Sequence, residues 1–411
     1  MQACRPARRA CWPTLQCETV AVLARLLQLL VFLALTSAGA WCAWAVAHGL
    51  GLGWVLAGVV LALAPHAPVL ALEFVLLAAL GRDPKAPRAT TAQLLRAWWG
   101  EVLAGWRVFG WRQPFAANRV PDRPDVARTA DGPRTFHMPS RPNMPSRPDT
   151  PSQPDMPSQP DTPSRPDTPS RPDMPGRPDM PSRPDTPGRP DMPSRPDTPG
   201  RPPPSGDPAP TGRPGQPGRT GVLLLHGYFC NRGLWSPWLR RLQQQGVPCA
   251  ALSLEPVFGA IDTWVPAIEA AVADMQRRTG RPPLLVGHSM GGLAVRAWLA
   301  AQPDAALADA RVLGVVTIGT PHHGTWMARF GLSANARQMR QQSPWLAALA
   351  AAESARRRAL FTCFYGHADN IVFPAGTATL DGADNRHVPA AAHVHMAFEP
   401  VVINEVLRRV G

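Results

Sequence analysis

A serine lies in the glycine-rich string Gly287-His288-Ser289-Met290-Gly291, between a short apolar run and a segment rich in alanine and leucine. The run predicts a buried strand and the segment predicts a helix. A sharp turn between strand and helix presents a serine hydroxyl at the start of the helix, and the flanking glycines avoid side-chain clashes. The spacing therefore predicts that Ser289 is a nucleophile. Alone, the G-x-S-x-G string is a weak signal, because glycine-rich chains contain it by chance.

A serine hydroxyl becomes a good nucleophile only when a base removes its proton, and that base is a histidine oriented by a carboxylate. Asp369 stands just past an apolar run at residues 360–365, and His393 precedes the last helical segment. A serine on such a turn is followed along the chain by the acid and then by the histidine. We therefore predict a catalytic triad of Ser289, Asp369 and His393.

Three other residues remain open as alternatives for these roles. Asp381 and Asp384 are weaker candidates for the acid, because they lie further from the end of a predicted strand. His395 is the reserve candidate for the base, two residues beyond His393.

Acyl transfer also needs backbone N–H donors that point to the oxygen on which negative charge develops. One donor should be the N–H of Met290, directly after the nucleophile. The second should come from the loop after the first strand, His226-Gly227-Tyr228-Phe229, where we assign Tyr228. Loss of one such donor typically costs about 3 kcal/mol of transition-state stabilisation.

Strand and helix patterns alternate in the last half of the chain, which predicts an α/β fold with a mostly parallel sheet and helices on both faces. The apolar runs predict strands at residues 222–225, 249–254, 283–286, 312–318 and 360–365. Helical periodicity covers residues 234–245, 263–278, 290–300 and 400–410. We place this catalytic domain at residues 218–411.

The first domain, residues 1–120, contains two apolar runs, at about 26–47 and 54–80. Each exceeds the roughly 20 residues that a helix needs to cross a bilayer. The short link between the runs suits a hairpin, so a two-helix transmembrane hairpin is predicted. Pro65 and Pro68 lie inside the second run and should bend it.

Basic residues flank both runs but are absent from the link between them. The positive-inside rule then predicts a multi-pass protein of the inner membrane, with the catalytic domain in the cytoplasm. A cleavable signal ending at Ala38-Gly39-Ala40 is the alternative for the first run.

Residues 92–111 carry apolar and tryptophan side chains at helical spacing. Tryptophan favours the headgroup region, so we interpret this stretch as an interfacial helix on the membrane surface. The alternative is a helix that packs on the catalytic domain.

Residues 121–217 contain a hexapeptide repeat, Met/Thr-Pro-Ser/Gly-Arg/Gln-Pro-Asp, in about eleven copies between Met138 and Pro203. Proline at every third position excludes helix and sheet, and little apolar surface is available to offset folding entropy. A disordered, semi-rigid spacer is predicted, with a reach on the order of 200 Å at about 3.1 Å per residue. A proline-recognising protein partner is an alternative use of the repeat.

The formal net charge of the 411-residue chain is +13, mostly from arginine. No basic stripe interleaved with aromatic residues and no nucleic-acid motif is present, so a nucleic-acid partner is not expected. Histidine and cysteine residues show no metal-ligand spacing. We expect neither a metal nor another cofactor.

The strings LLLHGYFCNRGLW, VGHSMGGLAVRAWL, TIGTPHHGTWMA and HADNIVFP resemble bacterial lipases and esterases of the α/β-hydrolase superfamily. The resemblance covers residues 219–411. It implies an α/β-hydrolase domain that cleaves acyl esters through an acyl-enzyme, with Ser289, Asp369 and His393 in the family's roles. It also implies that Gly319-Thr320-Pro321-His322 is a structural turn near the site. Some members of the family bind calcium, but this sequence does not predict a calcium site.

The predicted function is therefore that of a membrane-anchored lipase or esterase, with an acyl ester or lipid as substrate. Acyltransferase or thioesterase chemistry would use the same triad and is an alternative. A non-catalytic membrane adaptor is a further one. Residues 323–358 have room for helices over the site, as a lid or as an ordinary helical insertion.

Overall fold

A computed structural model describes residues 15–84, 86–125 and 218–411, with the backbone alone for residues 15–21. The predicted hexapeptide repeat, its spacer role and its protein partner lie outside these residues, as do the first arginines of the chain.

The C-terminal part of the chain is built on six parallel strands in the order β2-β1-β3-β4-β5-β6. The strands are β1 (Val222–Leu225), β2 (Cys249–Leu252), β3 (Leu284–His288), β4 (Gly314–Ile318), β5 (Phe361–Tyr365) and β6 (Asp384–His387). The α/β fold with a parallel sheet is thus confirmed. Five strands lie where short apolar runs predict them, with ends that differ by up to two residues.

Helices cover both faces of the sheet. They are α6 (Ser236–Gln244), α7 (Val265–Thr279), α8 (Met290–Ala300), α9 (Ala305–Ala310), α10 (Ala334–Gln338), α11 (Pro344–Ala351), α12 (Ala355–Arg358), α13 (His393–Met396) and α14 (Pro400–Val410). Strand β1 shows how the sheet joins two cores. Leu223 and Leu225 pack in the cluster that contains α7 and α8, whereas Val222 and Leu224 pack in the cluster with α6 and α14. A strand buried on both faces is continuously apolar, as the sequence of β1 is.

Strand β6 was not predicted. Its four residues, Asp384–His387, are polar and partly exposed, so no apolar run marks them. Pairing with β5 defines this strand, since Thr362 lies opposite Asp384 in the register. An edge strand needs no apolar side chains on its open side.

The described residues before the gap form five α-helices: α1 (Leu15–Ala47), α2 (Leu52–Leu63), α3 (His66–Leu80), α4 (Thr91–Gly105) and α5 (Gln113–Phe115). A π-helix, Trp106–Arg112, joins α4 to α5. Helix α4 begins with a capping box, in which the Thr90 hydroxyl accepts from the N–H of Gln93 and the Gln93 side chain accepts from the N–H of Thr90.

Helix α1 contains a 26-residue apolar stretch, Val22–Ala47, which is long enough to cross a membrane. The second apolar run is two helices rather than one, because α2 and α3 meet at an angle of 74°. The break falls at Ala64 and Pro65, where proline lacks the N–H that a continuous helix requires. Among the described helices, α1 alone meets the length for a span, and the α2–α3 pair meets it only when counted as one bent span.

Helix α4 packs on the sheet domain and also presents apolar side chains to the outside. Its buried face places Ala104, with Val108 of the π-helix, in the same core cluster as α6 and α14. On the opposite face Trp99 and Trp106 are half exposed. One face of residues 92–111 therefore packs on the sheet domain, as in the alternative interpretation. The other face has the residue types expected at a membrane surface.

The two ends of the undescribed segment lie beside each other. Asp125 forms an ion pair with Arg278 at 3.0 Å, and Gly218 approaches the carbonyl of the next residue, Thr279, so closely that a Cβ would lie 2.1 Å from it. The described residues on either side of the gap form one compact unit. In this unit the helices before the gap contact the sheet domain directly.

Candidate active site

Ser289 lies at the turn between β3 and α8 with φ 55° and ψ −127°, a strained conformation for a residue with a side chain. Two hydrogen bonds hold its backbone there. The Ser289 N–H donates to the Ile318 carbonyl at 2.8 Å, and the Thr320 hydroxyl donates to the Ser289 carbonyl at 2.8 Å. The end of β4 thus fixes the turn at the end of β3.

Glycines around Ser289 permit the turn because the backbone is crowded on both sides. A Cβ on Gly287 would lie 2.5 Å from the backbone nitrogen of Gly292. A Cβ on Gly291 would lie 2.4 Å from the Leu225 carbonyl oxygen. Backbone atoms cannot move aside as a flexible side chain can, so these positions require glycine.

Asp369 and His393 form a buried pair. The Nδ1 atom of His393 lies 3.0 Å from each carboxylate oxygen of Asp369. The same carboxylate accepts from the N–H groups of Ile371 at 2.9 Å and Val372 at 2.8 Å. Burial alone would lower the pKa of His393, but the charge and hydrogen bond of Asp369 prevail and hold it above its ordinary value.

Ser289 and the Asp369–His393 pair approach the same backbone position, Gly319. A Cβ on Gly319 would lie 3.0 Å from Asp369 Oδ2 and 3.2 Å from His393 Nδ1. The ring of His288, the residue before Ser289, lies 4.8 Å from the ring of His393. In the described structure the Ser289 hydroxyl makes no hydrogen bond to His393. Such bonds are often long without substrate and shorten when substrate binds.

The loop after β1 lies against the nucleophile. A Cβ on Gly227 would be 2.7 Å from the Cβ of Ser289, so the next residue, Tyr228, begins beside the serine. Among the described residues, no backbone hydrogen bond engages the N–H of Tyr228 or of Met290. Both N–H groups can therefore donate to an added oxygen. The Tyr228 hydroxyl lies 3.4 Å from the Ser333 hydroxyl, which places the start of α10, within the segment considered as a lid, near the site.

The alternative residues lie in other surroundings. His395 pairs with Glu399 at 3.2 Å and packs on Gly100 of α4, whereas Asp369 contacts His393. Asp384 begins β6 at the amino end of the sheet, where it contacts Thr362, and Asp381 precedes it in the same turn. Asp369, in contrast, follows β5 at the carboxyl end of the sheet.

A carboxylate from α4 holds the loop that carries His393, a contact that the sequence alone did not predict. The buried Glu101 accepts from the N–H of Val394 at 2.9 and 3.0 Å and from the N–H of His395 at 2.9 Å. These N–H groups belong to the first turn of α13, which begins at His393, and they have no acceptor within the helix. Burial raises the pKa of Glu101 to about 7, although its hydrogen bonds and His393 oppose this. Its signal in the sequence is a single acid on an otherwise apolar helix face.

A second carboxylate, Glu73 of α3, holds the loop that carries Asp369. It accepts from the side-chain amide of Asn370 at 2.6 Å, and the Asn370 oxygen accepts from the His393 N–H at 3.2 Å. His66, seven residues before Glu73, contacts the Val102 carbonyl at 3.2 Å. The lone acid in an apolar run was visible in the sequence, but its partner lies almost 300 residues further along the chain.

Apolar contacts join the same parts. One core cluster combines residues of the N-terminal helices with chain neighbours of Asp369 and His393: Phe74, Leu77, Ala97, Ala368, Phe373 and Ala392. The loop after β1 is held too, because the buried Gln113 of α5 accepts from the N–H of Asn231 at 2.6 Å. The loops after β1, β5 and β6 therefore each contact helices from before the gap.

Within the described ranges, no group of three or more histidine, cysteine, aspartate or glutamate side chains has the arrangement of a metal site.

Comparison with known proteins agrees with this architecture. Residues 222–409 match the model of the Alpha/beta hydrolase family, so the chain contains an α/β-hydrolase domain. The comparison with curated proteins found no match.

Three solved lipases are similar to the chain at low identity. The mature Bacillus licheniformis lipase BlEst2 is 16% identical, with a TM-score of 0.42 over 47% of this chain and 93% of its own. Aspergillus fumigatus lipase B is 16% identical, with a TM-score of 0.40 over 45% of this chain and 50% of its own. A Paleococcus ferrophilus monoacylglycerol lipase is 15% identical, with a TM-score of 0.34 over 46% of this chain and 97% of its own.

Proposed function

We propose that this protein is a membrane-anchored serine hydrolase that cleaves carboxylic esters, with Ser289 as nucleophile, His393 as base and Asp369 as the acid that orients it. The observation that carries the proposal is the buried pair of Asp369 and His393 beside a serine with φ 55°. A strained serine next to a histidine whose other nitrogen is engaged by a carboxylate is the arrangement that acyl transfer requires.

In the first half of the reaction His393 removes the proton from the Ser289 hydroxyl as its oxygen attacks the ester carbonyl. Asp369 holds Nδ1 of His393, so the free nitrogen, Nε2, receives the proton. The N–H groups of Met290 and Tyr228 donate to the oxyanion. His393 then protonates the departing alcohol, which leaves an acyl group on Ser289.

In the second half His393 takes a proton from water, and the hydroxide formed attacks the acyl group. Ser289 recovers its proton from His393 and the carboxylic acid leaves. An alcohol or thiol in place of water gives acyl transfer, and a thioester in place of the ester gives thioesterase activity. An assay with competing alcohols, in which ester products are measured beside free acid, separates transfer from hydrolysis.

The proposal places the enzyme in a membrane as a multi-pass protein. The support is the apolar stretch of α1, the bent α2–α3 pair and the many exposed apolar side chains of these helices. Contacts of α1 with the rest of the molecule favour a retained helix over a cleaved signal: the Gln28 side chain donates to the Pro114 carbonyl at 2.7 Å, and the Phe32 ring lies 6.4 Å from that of Phe115.

Basic residues after α3 favour a cytoplasmic catalytic domain. A reporter that is active only in the periplasm, fused after Gly411, should be inactive. Activity of this reporter would refute the orientation.

Hydrolysis of p-nitrophenyl esters of increasing acyl length by the full chain in detergent micelles tests the function. Ser289→Ala and His393→Ala should each lower kcat/KM at least about a thousandfold. The variant His395→Ala separates the two histidines, because it should retain activity if His393 is the base. Unchanged turnover in Ser289→Ala would refute the proposal.

A further inference from the structure

An apolar cavity of about 610 Å³ lies between α1, α3 and the π-helix. Its size falls within the roughly 300–1,000 Å³ of small-ligand sites. Helix α1 supplies side chains such as Leu27 and Val31 to one wall, and Trp106 and Phe109 of the π-helix form the opposite wall. A π-helix is wider than an α-helix and often marks a functional site. Here it forms a wall of the space in front of α1.

Two residues on the wall of the cavity connect it to the proposed active site. Phe229 lines the cavity and directly follows Tyr228, the proposed oxyanion donor. Glu101 also lines it, and its carboxylate accepts from the N–H of Val394, the residue after His393. The wall of the cavity therefore contains the chain neighbour of a proposed oxyanion donor and a residue that is hydrogen-bonded to the chain neighbour of the proposed base.

The outer end opens on the apolar surface of α1. Leu30, Phe32 and Leu35 line the cavity, and about half of each side chain is exposed. These residues belong to the helix that is long enough to cross a membrane. A molecule that enters between them comes from the hydrocarbon layer rather than from water.

Three polar groups on the wall are already engaged. His66 contacts the Val102 carbonyl, Trp106 donates to the Leu63 carbonyl at 3.0 Å, and Glu101 accepts from α13. The surface left for an occupant is apolar, which suits a hydrocarbon chain and not a polar head group.

We propose that this cavity binds the long acyl chain of a membrane lipid, and that the ester bond of this lipid reaches Ser289 sideways from the bilayer along the groove beside α1. The inference rests on the proposed esterase function and specifies its substrate as a lipid already dissolved in the membrane.

Photocrosslinking of the full chain in lipid vesicles tests this path. The probe is a fluorophosphonate with a sixteen-carbon alkyl chain that carries a diazirine at its far end. It first phosphonylates Ser289, and light then attaches the chain end to whatever lies beside it. Crosslinks should map by peptide mass spectrometry to α1, between residues 22 and 47. Crosslinks confined to residues 323–358 would overturn the inference while the labelled serine upholds the hydrolase. Absence of label on Ser289 would refute both.

A matched pair of variants on α1 gives a second, independent readout. Ala34 lines the cavity, and Ala40 lies on the exposed surface of the same helix outside it. In Ala34→Trp the ratio of palmitate to butyrate ester hydrolysis should fall about tenfold, because the indole takes the place of part of the chain. Ala40→Trp should keep the wild-type ratio. Equal ratios in the two variants would overturn the inference, and measurable butyrate hydrolysis in Ala34→Trp shows that the protein is folded.

Discussion

The sheet and the N-terminal helices position the proposed triad in different ways. The sheet fixes Ser289 through its own backbone, with a strained turn between β3 and α8 and glycines where no side chain fits. The helices act from outside, through the carboxylates of Glu101 and Glu73, on the loops that carry His393 and Asp369. The nucleophile is thus set by local structure, and the acid and base are additionally held by contacts across the chain.

This difference separates the chemistry of the site from its alignment. Residues of the sheet rims provide the reacting groups, so their loss should stop the reaction. Residues of the helices contact only the loops that carry His393 and Asp369. Their loss should therefore misalign the base and slow the reaction. Under the proposed function, the segment that holds the enzyme in the membrane therefore also helps to orient the proposed triad.

The largest effect is expected at the acid on the sheet rim. Asp369→Asn keeps the shape of the side chain but removes the charge that selects the tautomer of His393. We expect kcat for a soluble ester to fall by about 10⁴, the loss typical of this change in such a triad. The melting temperature serves as the control for folding. A loss below tenfold would mean that Asp369 does not orient the base.

A smaller effect is expected at Glu101 of α4. In Glu101→Gln only one oxygen can accept, and an amide group then faces one of the backbone N–H donors of α13. The resulting shift of His393 should lower kcat by up to about 100-fold, since a displacement of about 1 Å can cost that much. Glu399→Gln, a change of another acid near His395, is the matched control and should stay close to wild type.

The helix side should also give a pH dependence of stability. The pKa of Glu101 is about 7 in the folded protein and 4.5 as the ordinary value, so the folded state binds more protons between these pH values. The contribution of Glu101 to stability must therefore fall as the pH rises from about 4.5 to about 7, by roughly 3 kcal/mol at 1.36 kcal/mol per pKa unit.

Glu101→Gln lacks this titration. When both proteins are measured in the same detergent, the melting temperature of the wild type should fall relative to that of Glu101→Gln as the pH rises from 4.5 to 7. Outside this range the difference between them should stay constant. A pH-independent difference between them would show that Glu101 does not titrate in this range.

The smallest effect is expected at Glu73 of α3. Glu73→Leu leaves the Asn370 amide without its acceptor and loosens its hydrogen bond to the His393 N–H. We expect kcat to fall only severalfold, because Asp369 keeps its own contacts with His393. Glu73→Gln retains an acceptor oxygen and should behave nearly as wild type. Equal losses in the two variants would rule out a role for the acceptor.

The contrast between the regions also explains how far the sequence could be read. The turn at Ser289 and the order of its partners are local patterns, and five strands follow from apolar runs. The polar strand Asp384–His387 has no such run, and only its pairing with β5 defines it. The contacts of Glu101 with residues 394 and 395 join segments almost 300 positions apart, and no local pattern encodes them. The sequence therefore allowed residues 92–111 to be interpreted only through their tryptophans, and not through the contacts of Glu101.

The most direct measurement is the rate at which a fluorophosphonate modifies the full-length protein, with the modified residue identified by peptide mass spectrometry. The account predicts a single adduct on Ser289, absent in Ser289→Ala and formed at least about a thousandfold more slowly in His393→Ala. An adduct on another residue, or equal rates in the wild type and in His393→Ala, would contradict it.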